Sequence, residues 1–215
     1  MAGARGPYRV GRERRAAIIA AAADRFAVDG YHETSMNQLA RELGITQGGL
    51  LHHFPSKQHL LLAVAEHRLD VSVAWWDDIT PASTAGEIID RMIKVTALFL
   101  TEPGLIELAV AVATEAADTA SPAHEVLFSR YDAVLTNLTS RFAACAARGE
   151  LRPGVDPESL ARRCVAISDG LQLQWTLADR TIDLLGLVSA ALRDVAVATI
   201  RPEFQPPSAA AHRRP

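Results

Sequence analysis

The apolar positions between residues 34 and 57 recur at helical spacing in two short runs that a glycine separates. The first run places four apolar residues on one helical face: Met36, Leu39, Ala40 and Leu43. In the second run, Leu50 and Phe54 lie four apart on one side. Gly44 stands between the runs, and glycine leaves a helix in the left-handed conformation at little steric cost. The pattern predicts a helix-turn-helix, whose second helix enters the major groove of DNA.

Polar residues at the ends of these runs predict where each helix begins and stops. Ser35 is placed to cap the first helix, and Gln38 follows it at the capping-box spacing. Thr46 is placed to cap the second helix, and Ser56 to cap a third helix just behind it. Pro55 ends the second helix, because the residue before a proline avoids the helical conformation.

The outward positions of the second helix have side chains that suit DNA. Gln47, His52 and His53 project away from the predicted core, and glutamine can bond adenine through two hydrogen bonds. Gly48 and Gly49 each cost a helix about 1 kcal/mol relative to alanine. They favour a backbone that an external partner approaches closely. The alternative is that both glycines relieve crowding against neighbouring helices.

Several spaced segments agree at once with one family: Thr34-Ser35-Met36, Leu39-Ala40, Leu43-Gly44-Ile45, Gly49-Leu50, His53-Phe54 and Ser56-Lys57. Together they resemble the DNA-binding signature of the TetR family of bacterial transcriptional regulators. The resemblance implies a pocket for a small molecule in the C-terminal domain and dimerisation through the last two long helices. One position departs from the signature: Leu51 stands where many members have a tyrosine that contacts a phosphate. Either His52 or His53 takes over that contact, or Leu51 touches a thymine methyl group.

The pattern and the resemblance together give the candidate DNA-binding residues: Thr34, Ser35, Thr46, Gln47, Gly48, Gly49, Leu51, His52, His53 and Lys57.

The remainder of the chain also reads as helical, and no run of any length alternates with the period of a strand. Further helices are predicted at residues 12–29, 56–76, 84–100, from 105, 121–149, 156–179 and 183–200. Thr84 and Glu87 form a capping-box pattern, and Pro122 and Pro157 stand at first helical positions. We predict an all-α fold of about nine helices: an N-terminal three-helix DNA-binding domain and a larger C-terminal helical domain for ligand binding and dimerisation.

These helices suggest four segments along the chain. Residues 1–11 are predicted to be a basic mobile arm, which either follows the DNA backbone or minor groove or is simply disordered. Residues 12–57 form the DNA-binding domain, and residues 58–201 the ligand-binding and dimerisation domain. The proline- and alanine-rich residues 202–215 are expected to be disordered.

The last helix is apolar around nearly its whole circumference, so a monomer would expose a large apolar patch. This predicts burial against a partner subunit as well as against the chain's own core. The candidate interface residues are Leu184, Leu187, Val188, Ala191 and Val195.

Charge is distributed unevenly along the chain. Residues 1–60 carry eight Lys or Arg against five Asp or Glu, a net of +3, and since the whole chain is −3 the remainder is −6. A cationic end is what a polyanion-binding protein requires. The sequence shows neither a signal peptide nor an apolar run of membrane-spanning length, so we expect a cytoplasmic protein and no membrane partner. Cys145 and Cys164 are expected to be small core residues.

Aromatic and polar residues on the later helices are candidates for the effector pocket: Trp75, Trp76, Met92, Phe99, Phe128, Tyr131, Gln172 and Trp175. Their character favours a largely apolar effector. Four histidines, His52, His53, His59 and His67, lie close in sequence but lack the spacing of a zinc site, so neither a metal nor a cofactor is expected. The chain has no GxSxG, HExxH, Walker or GxGxxG motif, which argues against an enzyme.

The sequence therefore predicts a ligand-responsive homodimeric regulator, most simply a repressor, that binds a palindromic operator in double-stranded DNA and is released by a small molecule. The alternative is a helical small-molecule-binding or interaction protein that no longer reads DNA, and Leu51 is its only support.

Overall fold

The computed structural model describes residues 7–31, 33–73, 78–101 and 104–207. These residues form nine α-helices: α1 (Pro7–Asp29), α2 (Met36–Glu42), α3 (Gln47–His53), α4 (Lys57–Val73), α5 (Ala85–Thr101), α6 (Gly104–Ala116), α7 (Pro122–Ala147), α8 (Pro157–Leu177) and α9 (Leu184–Thr199). A 3-10 helix follows at Pro202–Phe204. Within the same ranges no β-strand occurs, and Leu151 and Ile200 form an isolated antiparallel bridge. The predicted all-α class is confirmed.

The start of α1 corrects the predicted arm. The helix begins at Pro7, so residues 7–11 are helical, whereas the sequence predicted a mobile arm over residues 1–11. Proline is well suited to the first helical position because its missing N–H has no partner there in any case. Residues 1–6 of the predicted arm lie outside the described residues.

Capping side chains set several helix starts as predicted. The Glu87 N–H donates to Thr84 Oγ1 (3.3 Å), and the Thr84 N–H donates to Glu87 Oε2 (2.7 Å). Asp156 and Asp183 accept N–H bonds from the first turns of α8 and α9. Each contact satisfies a backbone N–H that has no partner within its own helix.

The chain divides into two compact units. The first draws on the described residues of Met1–Ser72 and Pro103–Leu127, and the second on those of Val73–Glu102 and Phe128–Pro215. Helix α6 and the first turn of α7 therefore belong with α1–α4, although they come much later in the chain. The boundary predicted after residue 57 separates a DNA-binding domain from a ligand-binding and dimerisation domain. This functional division stays a prediction.

In the second unit, α9 packs against both α5 and α8. The largest fully buried side chains of this unit are Ile88, Ile89, Phe142, Leu160 and Leu184. Cys145 and Cys164 are free thiols that are completely buried. Burial raises the pKa of each thiol to about 12, which keeps both protonated and unreactive at neutral pH. Their interpretation as core residues is confirmed.

Glu150 is a buried acid that joins the end of α7 to the start of α5. The residue is 2% exposed; its Oε2 accepts the N–H of Ala85 at 2.7 Å, and its Oε1 accepts from Arg148 Nε at 2.7 Å. Arg148 also donates to the carbonyl oxygens of Pro81 (3.0 Å) and Ser83 (2.7 Å). Because both carboxylate oxygens are bonded, the desolvation of this charge is offset.

The segment that follows α9 corrects the prediction of a disordered tail for residues 202–207. The carbonyl oxygen of Phe204 lies so close to α5 that a Cβ added at Gly86 would stand 2.2 Å from it. Gln205 Nε2 donates to the Ile200 carbonyl at 3.1 Å, and Arg193 donates to the carbonyl of Pro207. Residues 208–215 of the predicted tail lie outside the described residues.

Gly86→Ala is expected to lower the free energy of unfolding by about 1–3 kcal/mol, because its methyl group would overlap the backbone of residues 204–206. Gly11→Ala is the matched control: Gly11 is also helical and has nothing within 4 Å of an added Cβ, so alanine costs no stability there. Urea unfolding followed by circular dichroism measures both. Equal stabilities for the two variants would contradict the close contact.

Candidate nucleic-acid interface

An apolar core holds the helix-turn-helix from behind. Leu39 and Ala40 of α2, Leu50 of α3 and the following Phe54 are all 2% exposed or less. They pack in one cluster with residues of α1, α4 and α6: Ile18, Ile19, Ala22, Phe26, Leu60, Leu61, Val64, Leu108 and Val112. Burial of each large apolar side chain contributes about 1.5–3 kcal/mol. The inward face of α3, and therefore its outward face, is fixed by this cluster.

The turn between α2 and α3 has the predicted geometry. Gly44 adopts a φ of 64°, in the left-handed region that glycine enters readily. The Ile45 N–H then donates to the Ala40 carbonyl at 3.0 Å. Thr46 Oγ1 accepts the N–H of Gly49 at 3.0 Å and caps α3, as the sequence predicts.

The start of α2 differs from its prediction. Ser35 occupies the capping position, but its hydroxyl makes no capping hydrogen bond. Gln38 does not complete a capping box, because its side chain donates forward to Glu42 at 3.2 Å. The Ser35 side chain is exposed, and its contact with DNA stays a prediction.

Arg25 of α1 fixes the far end of α2. Its guanidinium binds both carboxylate oxygens of Glu42, with Nε 2.9 Å from Oε2, and donates to Asp29 at 2.7 Å. These bonds from Arg25 lower the pKa of Glu42. A two-pronged arginine–carboxylate contact has a defined geometry, so it constrains the direction of α2 relative to α1. Local sequence spacing does not predict this Arg25–Glu42 contact, because the two residues are 17 positions apart in the chain.

The outward face of α3 consists of four exposed residues: Gln47, Gly48, Leu51 and His52. A Cβ added at Gly48 would have nothing within 4 Å, so crowding inside the chain does not explain this glycine. At Gly49 an added Cβ would stand only 3.3 Å from Thr46 Oγ1. The absence of a side chain at Gly49 therefore leaves room for the Thr46 cap. Of the two interpretations of the glycines, crowding is therefore excluded for Gly48, and Gly49 serves the helix's own start.

Two arginines of α1 lie beside α3 and make its border cationic. Burial, and then the charges of His52, Arg14 and Arg15, lower the pKa of His53. Arg15 also lies over the ring of Phe54, 4.9 Å from its centre. Both arginines are exposed, and neither is among the predicted site residues. The positive balance of residues 1–60 is the sequence signal that points to them.

Thr34 and Lys57 were both expected to contact DNA. Thr34 is 7% exposed, and its hydroxyl donates to the Gly30 carbonyl at 2.8 Å. This corrects the assignment of Thr34, because its side chain is turned into the protein. Lys57 opens α4 with its ammonium 4.6 Å from the centre of the Tyr31 ring. The roles of Lys57 and of the remaining DNA-binding candidates stay predictions.

The effector-pocket candidates differ widely in exposure. Trp75 and Trp76 lie outside the described residues. Among the others, Met92 and Trp175 are buried, Phe99 and Gln172 are half-buried, and Phe128 and Tyr131 are exposed. Tyr131 of α7 donates a hydrogen bond to Asp169 of α8. A shared pocket for these residues stays a prediction.

The last helix has an inner and an outer face. Leu184, Val188 and Val195 are 5% exposed or less, which corrects their assignment to a dimer interface, because their side chains fill the chain's own core. Leu187 is 44% exposed and Ala191 is half-buried, so both remain interface candidates. Other large apolar side chains are exposed on the last two helices: Leu173 and Leu177 on α8, and Val197 on α9.

In the part of the chain that the structure describes, no group of three or more His, Cys, Asp or Glu residues is arranged to hold a metal ion. Nor is any single described helix long and apolar enough to cross a membrane; α5 and α6 reach that length and composition only when they are counted together as one bent pair.

The fold and the site define a class: an all-helical protein whose first unit presents a capped helix-turn-helix with a polar, glycine-containing outer face. The chain matches two families, one described as bacterial regulatory proteins, tetR family, over residues 18–64, and one as BetI-type transcriptional repressor, C-terminal, over residues 95–210. The second match alone covers more than half of the chain. The protein therefore belongs to the TetR family of bacterial regulators, and the resemblance in its signature is confirmed.

Individual relatives agree with this assignment. The regulator RutR of Escherichia coli K12 is 33% identical over 87 residues, which is 39% of this chain and 41% of RutR's own length. The regulator TtgR of Pseudomonas putida is 28% identical over 186 residues, covering 81% of this chain and 86% of TtgR. A transcriptional regulator of Saccharomonospora viridis, solved in complex with choline, is 25% identical with a TM-score of 0.71 and covers 88% of this chain and 99% of its own. The Stenotrophomonas maltophilia repressor SmeT, solved with triclosan, shares the fold at 20% identity, with a TM-score of 0.72 over 94% of this chain and 99% of that chain.

Two variants test the local assembly of the helix-turn-helix. Thr46→Ala is expected to lower the free energy of unfolding by about 1 kcal/mol, because it removes the oxygen that accepts the Gly49 N–H. Ser35→Ala is the matched control and is expected to change stability little, since that hydroxyl makes no capping bond. Denaturant titration of both variants measures the difference. A larger loss for Ser35→Ala than for Thr46→Ala would contradict the capping assignment.

Proposed function

We propose that the protein is a ligand-responsive, dimeric DNA-binding regulator, most simply a repressor, that places α3 of each subunit in the major groove of a palindromic operator. The outward face of α3 is the observation that carries this proposal. Gly48 is open to the outside, beside an exposed Gln47 that can bond adenine through two hydrogen bonds. Arg14 and Arg15 border this face with positive charge, and a phosphate backbone attracts such groups.

Dimerisation follows from how this class of motif reads DNA. A two-fold protein places its two recognition helices about 34–36 Å apart, one turn of the duplex, on one side of a palindrome. The exposed Leu173, Leu177, Leu187 and Val197 of α8 and α9 supply apolar surface for such a partner. Membership of a family whose C-terminal part is described as a BetI-type repressor supports the repressor role.

The effector is proposed to be a small, largely apolar molecule that binds among the helices of the second unit. The choline and triclosan complexes of two structural relatives support a ligand-binding role for this fold. Effector binding would change the separation of the two recognition helices, and a coupling of about 1–3 kcal/mol is enough to change DNA affinity 5- to 150-fold.

The second candidate is a helical small-molecule-binding protein that has lost DNA reading. The apolar Leu51, 37% exposed on the outer face of α3, is the observation that favours it. Leucine cannot donate the phosphate contact of a tyrosine, but it can lie against a thymine methyl group. One leucine therefore fits both candidates, and DNA binding itself distinguishes them.

Selection from a pool of randomised DNA duplexes tests the proposal directly. The wild-type protein is expected to enrich a palindrome and to bind it with an affinity that falls steeply as salt rises. Gln47→Ala should relax the preferred base at one position of each half-site. Lys57→Ala should weaken binding to all duplexes alike and reduce the salt slope by about one.

Failure to enrich any sequence, or an affinity that does not respond to salt, would contradict the proposed function. If the protein enriches a palindrome but Gln47→Ala leaves every base preference intact, the base-reading role of Gln47 is wrong while DNA binding stands.

The dimer is tested by Leu187→Asp, which introduces a charge into the proposed apolar interface. We expect sedimentation velocity to show dimers for the wild type and mainly monomers for this variant at micromolar concentration, because an unpaired charge is costly to bury. Val28→Asp is the control: Val28 is an exposed apolar residue of α1, 80% exposed, and its variant should stay dimeric. A dimeric Leu187→Asp variant would exclude Leu187 from the interface.

A further inference from the structure

Lys57, the cation that opens α4, does not extend freely into solvent. Its ammonium lies 4.6 Å from the centre of the Tyr31 ring, within the range at which a cation is attracted to an aromatic face. Burial lowers the pKa of Lys57, and the nearby charge of Glu33 acts in the opposite direction. The ammonium is therefore partly removed from water and held against a ring.

Tyr31 is itself fixed from two sides. Its ring meets the buried Phe26 edge to face, with centres 5.4 Å apart and planes at 79°. Tyr31 also packs against the apolar core cluster of this unit, and burial, followed by the charge of Glu115, raises the pKa of its hydroxyl. A ring held in this way gives the ammonium a fixed surface on the turn between α1 and α2.

The helical turn that carries Lys57 is also anchored. Gln58, the next residue, donates from Nε2 to Glu115 Oε2 at 2.8 Å. Leu60 and Leu61 of the same turn are 1% exposed or less. The backbone of Lys57 is therefore held by α6 and the core, while its side chain is held by Tyr31.

We infer that Tyr31 is a positioning residue that holds the Lys57 ammonium ready for a DNA phosphate. The ammonium lies against the ring and has three N–H donors, so a phosphate oxygen can accept from one of them while the cation stays at the ring. A flexible lysine loses conformational freedom when it binds, and a lysine already held against a ring loses less. This inference rests on the proposed DNA-binding function and adds a residue that makes no DNA contact of its own.

A double-mutant cycle tests this inference with the full-length protein and a duplex obtained by the selection described above. Tyr31→Leu removes the ring face, Lys57→Ala removes the cation, and the third variant carries both changes. We expect Tyr31→Leu to weaken binding about two- to fivefold when Lys57 is present and to have no effect when residue 57 is alanine. Tyr31→Phe keeps the ring and should bind like the wild type.

The alternatives give different results. Equal weakening by Tyr31→Leu in both backgrounds would show that Tyr31 only supports the fold, and it would overturn the inference. Tighter binding by Tyr31→Leu would show that the ring withholds Lys57 from DNA, which also overturns it. Thermal unfolding of each variant shows whether it has lost structure. If Tyr31→Leu is destabilised, Tyr31→Phe decides the outcome, because weaker binding by a folded Tyr31→Phe variant contradicts a role for the ring face. If the wild-type protein selects no duplex, the proposed function fails first, whereas a failed cycle with DNA-binding protein rejects only the role of Tyr31.

Discussion

The burial of Leu50 and Phe54 against α1 and α4 is the contact on which the recognition surface depends. Helix α3 has only seven residues and contains two glycines, whereas isolated helices shorter than about 12–15 residues are marginal in water. Its helical state therefore requires tertiary packing, together with the Thr46 cap. Once these two side chains point inward, the spacing of a helix sends Gln47, Gly48 and Leu51 outward. The same packing that stabilises the helix thus selects the face that we propose for DNA binding.

Ion pairs decide which of the basic residues near the N-terminus remain available for a polyanion. Arg25 contributes to the positive balance of the first 60 residues, but its charge is satisfied by Glu42 and Asp29. Arg14 and Arg15 instead lie exposed beside His53. A count of charges along the chain therefore identifies a cationic region correctly, whereas the folded structure determines which cations border α3.

The second unit shows how one apolar helix satisfies two requirements. On α9, Leu184, Val188 and Val195 fill the chain's own core, while Leu187 and Val197 remain exposed. A helix repeats every 3.6 residues, so residues three apart diverge by about 60° and one helix can serve two surfaces. The segment at residues 202–207 obeys a similar constraint, because it closes over α5 at a position where only glycine leaves room.

Sequence alone determined the all-α class, the helix-turn-helix, the turn at Gly44 and most helix starts, because capping and turn chemistry involve residues within about four positions of each other. It also supplied the correct family, since many spaced residues of one local motif agree at once. Tertiary structure decided which side of α9 is inside, that Thr34 turns inward, and that residues 202–207 pack on Gly86. It also decided that Arg25 binds Glu42 and that the Lys57 ammonium lies against the Tyr31 ring. Each of these depends on residues that are distant in the chain or on the direction of a side chain, and local spacing carries neither.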